Sequence, residues 1–173
     1  CRMKIFNSDG SQAEMCGNGI RCLVRYLIDT SPNINRNNIS VETLAGIIST
    51  SMSEKNKVVV DMGSPVFEPS NIPTTLKLNT LGVAEGSVQL DDNTFKLFSV
   101  GMGNPHVVLE VNNIKEIPLE TWGKQLEQSK YFPNKTNVHF VNIISSTEID
   151  VLVWERGCGP TMACGTGACA CVA

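Results

Sequence analysis

The feature that most constrains the fold is a short motif that occurs twice, once near each end of the chain. Residues 15–19 read Met-Cys-Gly-Asn-Gly and residues 163–167 read Ala-Cys-Gly-Thr-Gly, so Cys16 and Cys164 stand 148 positions apart. In both copies the Cys-Gly-x-Gly run precedes a segment of helical character. A duplication of this kind predicts two related halves, each with a helix that begins beside its cysteine.

The first copy leads into the clearest helix of the chain, residues 17–29, whose apolar positions follow the spacing of a buried helical stripe. Beyond this helix, alternating apolar residues predict three strands, at 39–43, 47–52 and 57–62. A proline-rich stretch containing Pro65, Pro69 and Pro73 then interrupts the pattern, as is typical of a domain boundary. We therefore expect one domain at residues 1–62 and a second at residues 63–173.

The second domain is predicted to consist mostly of strands. They are expected near residues 75–79, 86–90, 94–101, 106–111, 137–144 and 148–154, with a weaker helix at 119–128. Most connections are too short for crossover helices, so the sheets should be mainly antiparallel and the fold class α+β. The chain begins at Cys1 without an initiator methionine and ends at Ala173 within a run of small and apolar residues. We therefore expect a fragment with material missing at both ends.

Charge and composition exclude several classes of partner. The chain carries 17 acidic and 14 basic residues, a formal net charge of −3, and no basic stripe, so we expect neither nucleic acid nor an anionic membrane as main partner. Aromatic residues make up 6% of the chain, too few for a platform that stacks bases. No apolar run approaches the roughly 18 residues that a membrane-spanning helix needs.

The cysteines favour reduced thiols over a disulfide scaffold. There are seven, at positions 1, 16, 22, 158, 164, 169 and 171. An odd number without a secretory signal fits a disulfide framework poorly and favours the cytoplasm. The two histidines, His106 and His139, are isolated in the sequence. Five residues separate Cys16 from Cys22, so we expect no zinc site.

The repeated motif also predicts chemistry. A helix N-terminus presents backbone N–H groups and the positive end of the dipole, which favour the thiolate form of a cysteine as a base. Glycines let the backbone approach a ligand, so the same N–H groups are suited to a carboxylate. Two such half-sites would place one sulfur on each side of a bound carbon. The alternative is a pair of tight turns that carry structural cysteines.

The residues that flank both cysteines resemble the signatures of the diaminopimelate epimerase family. Residues 6–22 read Phe-Asn-Ser-Asp-Gly-Ser-Gln-Ala-Glu-Met-Cys-Gly-Asn-Gly-Ile-Arg-Cys, and residues 154–170 read Trp-Glu-Arg-Gly-Cys-Gly-Pro-Thr-Met-Ala-Cys-Gly-Thr-Gly-Ala-Cys-Ala. Residues 101–106, Gly-Met-Gly-Asn-Pro-His, resemble its central motif, and residues 60–65, Val-Asp-Met-Gly-Ser-Pro, its domain junction. The resemblance spans almost the whole chain.

This resemblance implies an epimerase that interconverts LL- and meso-diaminopimelate on the route to lysine and peptidoglycan, without pyridoxal phosphate, metal or other cofactor. The family fold is two pseudo-symmetric domains, each a mainly antiparallel sheet around a central helix, with the active site in the cleft between them. Against that fold, the first domain is expected to be truncated and the second to lack its last strands. The expected location is the cytoplasm, or a plastid in a plant or alga, and a homodimer is one open option.

The resemblance also implies roles for individual residues. Cys16 and Cys164 match the two catalytic cysteines, one acting as thiolate base and the other as thiol acid. The predicted ligands of the carboxylate beside the reacting carbon are the N–H groups of Gly17, Asn18, Gly165 and Thr166. The predicted ligands of the distal end of the substrate are Asn7, Asn104, Asn137, Glu155 and Arg156. His106 falls at a family site position, where it either tunes a thiol or is structural.

Among the remaining cysteines, Cys22 and Cys169 are expected to be small core residues on helix faces. Two alternative functions remain open from the sequence. One is a racemase of the same two-cysteine architecture that acts on proline or hydroxyproline, although a compact substrate would not need Glu155 and Arg156. The other is a redox-sensing or metal-binding module that uses Cys16 and Cys164.

Overall fold

The structure, a computed structural model, describes residues 1–173 and divides into two compact units, Cys1–Gly63 and Ser64–Ala173. The division falls one residue after the expected boundary, at the start of the proline-rich stretch. Both units combine β-sheet with few helices, which confirms the α+β class. None of the helices is long and apolar enough to cross a membrane.

The first unit is built on one helix and one small sheet. Helix α1 (Gly17–Thr30) packs against an antiparallel sheet of three strands, which are β3 (Ile39–Thr43), β4 (Gly46–Met52) and β5 (Val58–Val60). Ile20, Val24 and Ile28 are buried, and this stripe forms the core with Ile39 and Val41 of β3. The predicted helix and its apolar face are thereby confirmed.

The prediction that Cys22 is a core residue is wrong. Cys22 is exposed on α1 because it stands two positions from Ile20 and from Val24, and a step of two residues leads to the opposite side of a helix. Cys169, in the last helix of the chain, is half-buried. The apolar stripe of α1 was therefore predicted correctly, but the cysteine was assigned to the wrong face.

A small hairpin before α1 was not predicted. Strands β1 (Ile5–Phe6) and β2 (Gln12–Ala13) pair antiparallel. The loop between them is closed by the N–H of Asn7, which donates to the Ser11 carbonyl at 2.8 Å. Strands of two residues carry no measurable hydrophobic period, so pattern analysis cannot detect them.

The second unit contains a sheet of seven strands. Their spatial order is β12 (Gly159–Thr161), β11 (Glu148–Glu155), β10 (Asn137–Ser145), β9 (Pro105–Glu110), β8 (Asn93–Gly101), β7 (Ala84–Leu90) and β6 (Lys77–Leu78). All neighbours are antiparallel except β9 and β10, which are parallel. The prediction of a mainly antiparallel sheet is confirmed with this exception, which arises because helix α2 (Leu119–Glu127) lies in the β9–β10 connection. The three-residue strand β12 was also missed.

Helices cover both faces of this sheet. Trp122 and Leu126 of α2 are buried in a core with Leu109 of β9 and Phe140 of β10. Side chains alternate along a strand, so their neighbours on β9 and β10 point to the opposite face. There helix α3 (Gly165–Val172) packs, and its Gly167 lies against His139. Two single 3₁₀ turns, Pro69–Asn71 and Ile114–Glu116, complete the unit.

Candidate active site

The two cysteines of the repeated motif occupy the same structural position in their units. Cys16 is the N-cap of α1, with extended backbone at φ −139° and ψ 112°, and its Sγ accepts a hydrogen bond from the N–H of Gly19 at 3.3 Å. Cys164 is the N-cap of α3, at φ −124° and ψ 116°, and its Sγ accepts from the N–H of Gly167 at 3.3 Å. Both side chains are half-buried. Each sulfur therefore lies at the positive end of a helix with an N–H directed at it, an arrangement that favours negative charge on sulfur.

The last glycine of each motif has a different neighbour. A Cβ on Gly19 would lie 3.2 Å from Cδ1 of Ile5, the far end of a flexible side chain. A Cβ on Gly167 would lie 2.2 Å from Cε1 of the His139 ring, which is far too close. The glycine is therefore required for packing at α3, whereas at α1 a small shift of the Ile5 side chain would accommodate a methyl group.

The residues predicted to hold the reacting carboxylate form the first turn of each helix. Gly17 is buried and Asn18 exposed at the start of α1, and Gly165 is half-buried and Thr166 buried at the start of α3. The hydroxyl of Thr166 lies 3.4 Å from Sγ of Cys164. The first N–H groups of a helix point out of its N-terminus, where they are suited to a carboxylate.

A chain of hydrogen bonds runs beneath the start of α3. Nε2 of His106 lies 2.7 Å from Oδ1 of Asn104, and Nδ1 of His106 lies 2.8 Å from Nε2 of His139. If Oδ1 of Asn104 accepts from His106, then Nδ1 of His106 accepts from His139, and this order fixes both tautomers. Nδ1 of His139 is buried without a hydrogen-bond partner, beside Gly167.

Both imidazoles are fully buried, and burial favours their neutral form. Burial lowers the pKa of His139 to about 4. Burial, followed by the neighbouring His139 and Arg156, lowers the pKa of His106 well below its usual value. The two histidines are isolated in the sequence because 33 residues separate them. The parallel pairing of β9 and β10 nevertheless places their rings side by side in the structure.

Asn137 connects two parts of the predicted site. It is buried, its Nδ2 donates to the carbonyl of Pro105 at 2.8 Å, and its Oδ1 accepts from the backbone N–H of Arg156 at 3.0 Å. The side chain therefore joins the turn that carries Asn104 to the end of β11. We assign to Asn137 the positioning of these two segments, and its contact with substrate stays a prediction.

The acidic and basic pair predicted for the distal end of the substrate lies at the end of β11. Both Glu155 and Arg156 are half-buried. The hydroxyl of Thr161, on β12, donates to Oε1 of Glu155 at 2.5 Å. A hydrogen bond from a neutral donor orients the carboxylate and leaves its charge in place, as binding of an ammonium group requires.

Asn7, the predicted site residue of the first hairpin, lies in the loop between β1 and β2. Its Nδ2 donates to Oγ of Ser11 at 3.1 Å, and this hydroxyl in turn donates to Oδ1 of Asp9 at 2.6 Å. The amide is half-buried and oriented by side chains of its own loop, in contrast to the buried amide of Asn137.

Sequence reasoning missed three residues that hydrogen-bond to predicted site residues or to their immediate neighbours in the chain. They are His139, Thr161 and Glu127, the last of which accepts from Nε1 of Trp154 and from the N–H of Gly157. The only available signal was for His139, a polar residue within the apolar run of β10. Thr161 makes its contact between two neighbouring strands, and Glu127 makes its contacts between a helix and the end of a strand. No pattern of neighbouring residues in the sequence predicts such contacts.

The other cysteines show no arrangement of a metal or disulfide site. The structure has no cluster of three or more His, Cys, Asp or Glu side chains placed to hold a metal ion, and no disulfide. Burial, followed by the nearby Cys164 and Cys169, raises the pKa of the Cys171 thiol to about 12, so this group stays protonated at neutral pH. Each unit therefore has one cysteine whose sulfur caps a helix and is suited to proton transfer, Cys16 in the first unit and Cys164 in the second.

Comparison with known proteins gives consistent matches. The family model for diaminopimelate epimerase matches residues 1–68 and 98–173. The curated diaminopimelate epimerase of Prochlorococcus marinus (strain NATL1A) is 52% identical over 171 residues, which cover 99% of this chain and 60% of the relative. That of Halothermothrix orenii is 44% identical over 175 residues, which cover 99% of this chain and 61% of the relative. The chain thus spans about 60% of the length of these relatives.

Solved structures of related folds also match. A probable proline racemase from Agrobacterium radiobacter K84 superposes with a TM-score of 0.68 at 13% identity, covering 95% of this chain and 52% of the other. A hydroxyproline epimerase from Agrobacterium vitis superposes with a TM-score of 0.69 at 12% identity, covering 96% and 53%. At such low identity these matches establish the fold alone, and they confirm the predicted fold class.

Proposed function

Because this chain belongs to the diaminopimelate epimerase family, we propose that the full-length protein interconverts LL- and meso-2,6-diaminopimelate in the synthesis of lysine and peptidoglycan precursors. The activity is proposed for the whole protein, since this chain spans about 60% of the length of its relatives. The observation that carries the proposal is the repeated N-cap cysteine, with the same backbone conformation and the same 3.3 Å N–H···Sγ bond in both units.

The proposed reaction uses the two sulfurs as a base and an acid. One cysteine, as thiolate, removes the proton from the α-carbon, and the other, as thiol, donates a proton to the opposite face. The first sulfur becomes a thiol, the second becomes a thiolate, and the α-carbon is inverted with no change of oxidation state. For the opposite stereoisomer, Cys16 and Cys164 exchange roles.

The carboxylate beside the reacting carbon must be held where negative charge develops. We assign this role to the N–H groups of Gly17 and Asn18 in α1 and of Gly165 and Thr166 in α3. Backbone donors at a helix N-terminus are already oriented before the reaction, so they stabilise the carbanion without reorganisation. The α-proton of an amino acid is very weakly acidic because its removal places a second negative charge beside the carboxylate, which makes this stabilisation essential.

The distal end of diaminopimelate is a second amino acid group with both charges. We propose that Arg156 binds its carboxylate, which a guanidinium does best with two parallel hydrogen bonds, and that Glu155 binds its ammonium. The amides of Asn7, Asn104 and Asn137 complete the set. We assign His106 the orientation of Asn104, which follows from the 2.7 Å contact between them.

The remaining predictions follow from this chemistry and from the relatives. Two thiols balance every proton in the reaction, so we propose that no pyridoxal phosphate or metal takes part. The proposed partner is the small-molecule substrate, with neither nucleic acid nor membrane, and a homodimer stays an open option for the assembly. The matched relatives named above are bacterial, which favours the bacterial cytoplasm over a plastid.

The decisive experiment measures solvent deuterium at the α-carbon. Full-length protein incubated with LL-diaminopimelate in deuterated water should yield meso product that carries deuterium at the inverted carbon. Dialysis against a chelator should leave the rate unchanged. Epimerisation without deuterium exchange, or activity lost on chelation and restored by metal, would contradict the two-thiol reaction.

The alternatives are separated by the same assay. Incorporation of solvent deuterium into proline or hydroxyproline, rather than into diaminopimelate, would favour the racemase alternative. The two solved structures named above are a probable proline racemase and a hydroxyproline epimerase of similar fold. A protein that exchanges no substrate but changes its thiol content reversibly with oxidants would be a redox module. We favour diaminopimelate because Glu155 and Arg156 provide opposite charges for a second zwitterionic end.

A further inference from the structure

Glu127 is an acidic residue at a position where a negative charge is electrostatically unfavourable. It is the last residue of α2, where the helix dipole presents its negative end, and its side chain is 6% exposed. A carboxylate is buried at a cost unless hydrogen bonds or an opposite charge compensate it. The contacts of Glu127 therefore indicate which groups its buried carboxylate binds.

Both carboxylate oxygens of Glu127 accept hydrogen bonds from the end of β11. Oε2 accepts from Nε1 of Trp154 at 2.8 Å, and Oε1 accepts from the backbone N–H of Gly157 at 3.0 Å. Nζ of Lys135 lies 3.8 Å from Oε1 and supplies the opposite charge. The two N–H donors are three residues apart in the chain, so one carboxylate binds both sides of a turn.

The residues between these donors are the pair proposed to bind the distal end of the substrate. Trp154 directly precedes Glu155, and Gly157 directly follows Arg156. Gly157 has φ +73°, and the N–H of Cys158 donates to the carbonyl of Glu155 at 3.1 Å, which makes the segment a tight turn. Glu127 therefore binds the residue that precedes this turn and the backbone within it.

Packing makes the contact with Trp154 specific. A Cβ on Gly123, one helical turn before Glu127, would lie 2.8 Å from Cδ2 of Trp154, so α2 admits the indole only because position 123 is glycine. The indole is therefore fixed by two contacts with α2, its packing on Gly123 and its N–H bond to Glu127. These contacts hold the end of β11, from which Glu155 and Arg156 follow directly.

We propose that Glu127 is a positioning residue for substrate binding, which acts through Trp154 and Gly157 to hold Glu155 and Arg156 in their binding orientation. It does not touch the substrate. The assignment rests on the proposed function, because it concerns the affinity for the second amino acid end of diaminopimelate. Its loss should weaken binding of that end equally in the ground state and the transition state, which raises KM while kcat changes little.

The test is Glu127→Gln in the full-length protein. Glutamine keeps one oxygen but places an NH₂ group where the other carboxylate oxygen stood, so one of the two donors, the Trp154 indole N–H or the Gly157 backbone N–H, loses the acceptor it faces. We expect KM for diaminopimelate to rise about 10- to 100-fold, the scale of a hydrogen bond to a charged group, with kcat within a few-fold of wild type. The matched control is Glu120→Gln, an exposed position on the same helix, which should leave both constants unchanged.

A second readout needs no activity. Hydrogen exchange of the peptide that covers residues 155–159 should be faster in Glu127→Gln than in wild type, and unchanged in Glu120→Gln. If Glu127→Gln does not fold, Trp154→Phe keeps a smaller aromatic ring against Gly123 and removes the Nε1–H donor, and it should likewise raise KM and speed exchange at residues 155–159.

The outcomes separate the two hypotheses. Faster exchange at residues 155–159 in a protein whose wild type shows no epimerisation would support the role of Glu127 and contradict the proposed function. Unchanged exchange together with unchanged KM would overturn the role of Glu127 and leave the proposed function intact. A fall in thermal stability with wild-type KM would reduce Glu127 to a structural residue and also overturn the proposal.

Discussion

Helices α1 and α3 begin in the same way but pack against different kinds of residue. In both, a cysteine in extended conformation caps the helix and its sulfur accepts the N–H of the third helical residue at 3.3 Å. α1 has 14 residues and packs with an apolar stripe on a three-stranded sheet, with Ile5 beside Gly19. α3 has 8 residues and packs its Gly167 on a buried histidine.

This difference separates the effect of the Cys-Gly-x-Gly motif, which sets the cap geometry, from the effect of the residues packed beneath each helix. The cap geometry depends on residues within one turn, so the same four-residue pattern produces it in both units. Beneath α3, the polar chain of Asn104, His106 and His139 replaces the aliphatic contacts found beneath α1. The two sulfurs are thus equivalent in local geometry, while the residues beneath the two helices differ in how closely they pack on the motif glycine and in their response to pH.

The largest expected effect tests the equivalence of the sulfurs. Cys16→Ser and Cys164→Ser should each lose nearly all epimerase activity, at least about 10²- to 10⁴-fold, because serine is a poor base near neutral pH. Each variant should still eliminate a good leaving group from a β-halogenated analogue, since elimination needs a single base. The two variants should prefer opposite stereoisomers of the analogue. Wild-type epimerisation in either variant would refute the assignment of two bases.

The second effect should break the equivalence of the helices. Gly167→Ala forces a methyl group into the ring of His139 and should destabilise the protein by about 1–3 kcal/mol, the range for overpacking a core. In Gly19→Ala the new methyl group would lie 3.2 Å from the end of the flexible Ile5 side chain and 3.4 Å from Sγ of Cys16, and alanine gains helix propensity, so its effect on stability should be near zero or stabilising. Urea unfolding of both variants measures the difference. Equal destabilisation would show that the support of α3 is no more rigid than that of α1.

A third comparison concerns the two site amides. Asn137→Ala leaves the Pro105 carbonyl and the Arg156 N–H without their partner in a buried place and should cost about 1–3 kcal/mol. Asn7→Ala removes a bond to Ser11 within an exposed loop and should stay within about 0.5 kcal/mol of wild type. The measurement is again urea unfolding. If Asn137→Ala proves as mild as Asn7→Ala, the bridge to Arg156 has no role in stability.

The smallest expected effect is a dependence on pH that comes from the second unit. The pKa of His139 is about 4 in the fold against 6.5 when unfolded, so its contribution to stability is present above pH 6.5 and is lost as pH falls towards 4. Between pH 7 and pH 5.5 this histidine should account for about 1 kcal/mol of lost stability. His139→Gln should lose correspondingly less over the same interval. An identical pH dependence in the variant would contradict the buried neutral imidazole.

The sequence alone determined the features that depend on neighbours along the chain. The periodic Ile20, Val24 and Ile28 predicted the buried face of α1, and Cys-Gly-x-Gly predicted both helix starts, because helix periodicity and N-caps act within one or two turns. The resemblance to the family identified Cys16 and Cys164 as the pair on which the proposed reaction depends.

The tertiary structure alone decided which distant residues support the site. The ring of His139 lies on His106 because β9 and β10 pair in parallel, and Glu127 holds the turn after Trp154 because α2 packs on the end of β11. These partners are separated by 33 and 27 residues, and their contacts form only when strands and helix assemble. Hydrophobic patterns report which face of an element is buried, but they carry no information about which polar groups meet across that burial.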